Sequence, residues 1–123
     1  MFKVEIMETG KEITSVKERV MLKDTRDAIR LDEATKEGSV VINPVNYAIL
    51  KVENDRSEDK SYNQYLIIDA DGTKYLTGSE AFFSAFINFF EEMSGSGEVW
   101  GVKVYRVPSK NYVGRDFLSC SIV

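Results

Sequence analysis

The residues best suited to chemistry lie near the end of the chain, where rings and cations alternate. From Trp100 to Arg115 stand Lys103, Tyr105, Arg106, Lys110, Tyr112 and Arg115, with no Asp or Glu among them, and Phe117 follows. Single-stranded nucleic acid is bound by this mixture, because cations meet its phosphates and flat rings stack on its unpaired bases. Stacking is worth about 1–3 kcal/mol per base and tolerates every base, since each presents a π-face. If Val102, Val104, Leu118, Cys120 and Ile122 face a core, strand alternation turns Lys103, Tyr105, Phe117 and Ser119 outward. The connection Pro108 to Arg115 then adds Lys110, Tyr112 and Arg115. A second ring–cation set is Tyr47 with Lys51, and Tyr65 or Tyr75 with Lys74. The same residues have a plainer reading, because tyrosine suits any half-buried strand and scattered lysines suit any solvated face. Trp100 reads more readily as core than as a base platform.

What is missing narrows the chemistry further. Histidine is absent, so Ser-His and Cys-His nucleophile systems and histidine-ligated metals are excluded. Cys120 is the only cysteine, so it has no partner for an internal disulfide, a redox pair or a zinc site. It reads as a small buried hydrophobe. Asp69, Asp71 and Gly72 read as a turn, and no EF-hand loop is present. The expectation is a protein with no enzymatic activity, cofactor or metal.

Composition sets the frame for these residues. A chain of 123 residues, 43% hydrophobic and 29% charged, has the make-up of one globular domain. Its net charge of -4 opposes a broadly basic nucleic-acid surface, yet the acids concentrate upstream, at Asp32, Glu33, Glu37 and between Glu53 and Asp59. No apolar run is long enough to span a membrane, and the start of the chain lacks a secretory pattern. A cytoplasmic protein is expected.

The elements that must position the rings can be read from periodicity. Phe2 to Ile6 alternates as a strand, and Thr14 or Ser15 with Glu18 caps a short helix over Val16 to Lys23. Asp27 to Glu33 alternates again. Ser39 to Ile42 is a β-branched run that stops at Asn43-Pro44. Tyr47 to Glu53 places Ala48, Leu50 and Val52 on one face and Tyr47, Ile49 and Lys51 on the other. Tyr62 to Asp69 and Thr73 to Thr77 flank Asp71-Gly72, a strong hairpin signal. Asn54 to Ser61 is a polar, charged loop. Ser79 caps a helix over Glu80 to Met93, in which Phe82, Phe86, Phe89 and Met93 make an apolar stripe widened by Phe83, Ile87 and Phe90. Strands over Glu98 to Val107 and Asp116 to Val123 complete the chain.

This order predicts a mainly β fold. It is expected to be an OB-fold, a closed five-stranded barrel over residues 39–123 with one helix between strands 3 and 4. Residues 1–38 would form an N-terminal extension of the same single domain, containing the short helix.

The segment Tyr65-Leu-Ile-Ile-Asp-Ala-Asp-Gly-Thr-Lys-Tyr-Leu, the helix from Glu80, and the run Lys103-Val-Tyr-Arg-Val-Pro-Ser-Lys-Asn-Tyr-Val-Gly-Arg-Asp-Phe carry a likeness to a known family. Over about Tyr47 to Val123 the chain resembles the small single-stranded-DNA-binding proteins of protein-primed Bacillus phages and related Gram-positive phages and mobile elements. The resemblance implies an OB-fold, no catalysis, and coating of DNA without sequence preference during replication. It also implies that Lys103, Tyr105, Lys110, Tyr112, Arg115 and Phe117 line the groove. Partners would be single-stranded DNA and replication proteins, with a homo-oligomer open. Two departures stand out: residues 1–38 have no counterpart, and the chain ends in Ser-Ile-Val without the acidic tail through which cellular relatives recruit partners. The competing expectation is a protein-interaction module, an inhibitor or assembly subunit, suggested by the acidic average and the nearly all-apolar helix.

Overall fold

Alternating apolar residues build the larger of two sheets. The structure, a computed structural model, describes residues 2–54, 61–108 and 116–123. Within them β4 (Pro44–Asn54), β5 (Ser61–Asp69) and β6 (Lys74–Thr77) form an antiparallel meander. The β5–β6 turn is the expected Asp-Gly hairpin. Gly72 takes a φ of +91° there, a conformation that favours glycine, while its N–H donates to the Asp69 carbonyl at 2.9 Å. β1 (Phe2–Thr9) adds antiparallel to β4, and β2 (Ile29–Arg30) adds parallel to β6, so the sheet order is β1-β4-β5-β6-β2.

The smaller sheet contains β3 (Val40–Ile42), β7 (Val102–Pro108) and β8 (Asp116–Ile122), antiparallel in the order β3-β7-β8. Only Asn43 separates β3 from β4, so one run of chain passes from the smaller sheet into the larger. Pro44 opens β4, a strand position that needs no ladder donor from it. The buried Asp69 fixes this crossing. Its carboxylate accepts the Asn43 N–H at 3.2 Å and the Ala70 N–H at 2.6 Å, and the Ala70 N–H also donates to the Asn43 carbonyl.

The fold is mainly β, but the strands of the described residues do not close into the expected five-stranded barrel. The physical reason lies in residues 2–38. β1 occupies the edge of β4 opposite β5, and β2 occupies the edge of β6 opposite β5. With β2 on that edge of β6, β8 pairs with β7 alone. The segment set apart as an extension thus supplies both edge strands of the larger sheet. The alternation over Asp27 to Glu33 is only partly extended: Ile29–Arg30 is strand, and Leu31 turns into α2 (Leu31–Ala34). Thr35 holds that turn by donating its hydroxyl to the Leu31 carbonyl at 2.7 Å.

Two apolar layers result, one on each face of the larger sheet. α3 (Glu80–Met93) is capped by Ser79, whose hydroxyl accepts the Phe82 N–H at 3.3 Å. It buries Phe82, Phe83, Phe86 and Phe90 against Tyr47, Tyr65 and Ile67 of the larger sheet and against Ile42, Val102, Val104 and Leu118 of the smaller. Full burial of each such ring stabilises by about 1.5–3 kcal/mol. On the opposite face, α1 (Val16–Lys23) lays Leu22 over Ala48, Leu50, Leu66 and Leu76. Ser15 caps it, accepting the Glu18 N–H at 3.4 Å. Gly10 sits where chain and core nearly touch: a Cβ there would lie 2.7 Å from both Phe90 Cε1 and the Tyr47 ring.

Candidate nucleic-acid interface

Strand alternation gives the smaller sheet one buried and one open face. Register pairs Val102 with Ile122, Val104 with Cys120 and Arg106 with Leu118 on the inner side. Val102, Val104 and Leu118 are buried there, whereas Ile122, at the strand end, is 43% exposed. The alternate residues form the outer face. Lys103 lies between Val41 and Ser121, Tyr105 opposite Ser119, and Val107 opposite Phe117. Phe117 and Val41 are 53% and 52% exposed, large values for apolar side chains in strands.

Polar contacts order the ring of Tyr105. Its hydroxyl meets Ser121 Oγ at 2.7 Å. Hydrogen bonds from the Ser121 hydroxyl, and secondarily from Ser119, hold the phenol pKa below its usual value. Among the described residues of this face Lys103 is the only charged side chain, and none is Asp or Glu. The face can therefore offer stacking surface from Phe117 and Tyr105, hydroxyls from two serines, and one cation. The β7–β8 connection carries the sequence-predicted Lys110, Tyr112 and Arg115, all of which lie outside the described residues.

The remaining sequence-predicted residues lie elsewhere, each for an identifiable reason. Tyr47 belongs to the core rather than a binding surface. Its ring meets Phe83, Phe86 and Phe90 edge-on at centroid distances of 5.5, 6.1 and 5.1 Å. Its hydroxyl donates to Glu8 Oε2 at 3.1 Å, and burial, reinforced by the Glu8 carboxylate, pushes its pKa up to about 12. Tyr75 is half-buried against the same core, and burial with the charges of Asp69 and Asp71 raises its pKa. Lys74 faces the other side of the sheet from Tyr75, so the two do not form a pair. Its Nζ donates to the carbonyls of Met21 at 2.6 Å and Asp24 at 2.8 Å, and lies 3.4 Å from Asp27. It closes the end of α1 rather than meeting a phosphate. Lys51 stands 3.7 Å from Glu53 on the larger sheet.

Arg106 departs most from the sequence reading. Alternation sends it inward beside Leu118, where its Nε donates to Thr35 Oγ1 at 3.0 Å and its second guanidinium nitrogen to the Asp32 carbonyl. It ties the smaller sheet to α2. Trp100 packs edge-on to Phe90 with centroids 6.1 Å apart, as a core ring. Cys120 is half-buried, and burial pushes its thiol up to about 11, leaving it a weak nucleophile near neutral pH.

Sequence reasoning missed Val41 and Val107 on the open face. The alternation within Val40-Val41-Ile42 carries that signal, but it needs the β3–β7 register to place it. Among the described residues no cluster of three or more metal-ligating side chains forms, and no helix is long and apolar enough to cross a membrane. The chain matches no protein-family model, no curated protein and no solved structure.

Proposed function

We propose that the outer face of β3-β7-β8 binds single-stranded DNA without sequence preference, and that the protein coats DNA during phage or mobile-element replication. The observation that carries this reading is the shared open face of Phe117 and Tyr105, with Lys103 two residues from Tyr105 on the same face and no Asp or Glu side chain among its described residues. Rings on adjacent strands offer successive unpaired bases a stacking surface, and a cation at the margin suits the backbone. The sequence from Pro108 to Arg115, which joins β7 to β8, contains two further cations and a tyrosine and no acid.

An open variant of the OB arrangement is part of the proposal. Its support is the run Val40–Asn54, shared between the two sheets, followed by two strands, α3 and a final hairpin. The N-terminal strands then replace the pairing that would close a barrel.

A second reading is docking of a protein on the same face, favoured by the exposure of Val41 on β3 and Phe117 on β8, apolar side chains at opposite corners of that face. One titration separates the two. Fluorescence anisotropy of labelled oligo-dT should rise with added protein, weaken with salt, and exceed the response to duplex of equal length. Equal affinity for duplex, or no binding to either, overturns the DNA reading.

A further inference from the structure

β1 ends the larger sheet. It pairs with β4 on one side, and among the described residues its other edge has no strand partner for its backbone N–H and C=O groups. Lys3 and Glu5 are exposed along this strand, while Val4 and Ile6 pack partly against the apolar layer under α1. A register shift between Ile6 and Glu8 breaks the ladder. The straight part of the strand is therefore Phe2 to Ile6, and its midpoint is Val4.

The neighbouring helix carries exposed apolar surface. Arg19 of α1 lines a depression with Ile6 and Glu8 of β1. Val16 and Val20, one helical turn apart on α1, are 77% and 61% exposed. Exposed apolar side chains thus stand on the helix that neighbours the unpaired strand.

We propose that this edge is the interface of an isologous dimer, in which two copies of β1 pair antiparallel about a two-fold axis at Val4. Charge complementarity identifies the occupant as a second copy and also selects the register. An axis at Val4 sets Lys3 of each copy opposite Glu5 of the other, so symmetry makes the favourable pair twice. An axis at Glu5 would oppose two carboxylates, and an axis at Ile6 would run the pairing into the bulge. A lone edge lysine repels an added strand. Lys3 two residues before Glu5 does not, because the partner's sequence neutralises it.

Sedimentation equilibrium of the full chain, from low to high micromolar, tests this. The native protein should dimerise. Lys3→Glu and Glu5→Lys should each weaken the dimer by roughly tenfold or more, since each opposes like charges at both ends of the pairing. The double charge swap should restore it. Lys3 and Glu5 also stand opposite Glu53 and Lys51 of β4. The variants are therefore made in a background carrying Glu53→Gln and Lys51→Gln, which removes the opposition within the chain. Far-UV circular dichroism and thermal melts of each establish that the fold is kept. A native chain that stays monomeric, a dimer indifferent to the single changes, or a double variant no stronger than the singles overturns the proposal.

Discussion

Phe117 on β8 lies one register step diagonally from Tyr105 on β7, because Tyr105 pairs with Ser119 and Val107 with Phe117. Both rings stand on the open face of the smaller sheet. Diagonal neighbours in an antiparallel ladder are about 7–8 Å apart, within reach of each other's edges. Phe117 gains little for the fold from this position, being 53% exposed. Under the proposed function, its open ring is available to stack on an unpaired base beside Tyr105.

Lys103 supplies the electrostatic part of the same face. Lys103→Gln should weaken oligo-dT binding to a similar extent for every base composition. It should also reduce the slope of log K against log salt by about 0.7, the value expected for one lost phosphate contact to a single strand. Anisotropy titrations at several salt concentrations measure both. An unchanged slope would place Lys103 outside the contact.

Arg106 belongs to the fold, and its replacement should show that. Arg106→Ala removes the donors to Thr35 Oγ1 and the Asp32 carbonyl, and should cost about 1–3 kcal/mol in urea denaturation. Oligo-dT affinity measured well below the unfolding midpoint should remain native. Lost affinity with unchanged stability would return Arg106 to the interface.

Gly10 tests the packing of the N-terminal segment on the core. Gly10→Ala puts a Cβ 2.7 Å from Phe90 and Tyr47, both buried in the ring cluster. The strain should cost about 1–3 kcal/mol, read as a lower melting temperature in differential scanning calorimetry. An unchanged melt would mean that β1 and the residues after it are not seated on α3 and β4.

Local signals in the sequence suffice for the elements and for much of the face. Ser15 and Ser79 mark the helix starts, Asp71-Gly72 marks the hairpin, and period-two alternation separates Val102 and Val104 from Lys103 and Tyr105. What local pattern does not contain is pairing between distant strands. The parallel contact of Ile29–Arg30 with Tyr75–Leu76 is set by tertiary packing, and it changes the architecture from a closed barrel to two sheets. Tyr47 shows the same limit at a single residue. Alternation places its ring opposite Ala48 and Leu50, but both faces of the larger sheet are covered, so neither choice leaves the ring in solvent. Lys74 looks like a free cation until the end of α1 arrives from fifty positions upstream to take its ammonium group.

Anisotropy titrations of labelled oligo-dT with the native chain, Phe117→Ala and Tyr105→Ala test the proposed stacking face itself. Loss of one stacked base corresponds to about 1–3 kcal/mol, so each variant should bind roughly 5- to 150-fold more weakly, with its melting temperature nearly unchanged for Phe117→Ala. Native affinity in both variants would contradict the assignment of the outer face of β7 and β8 as the DNA-binding surface.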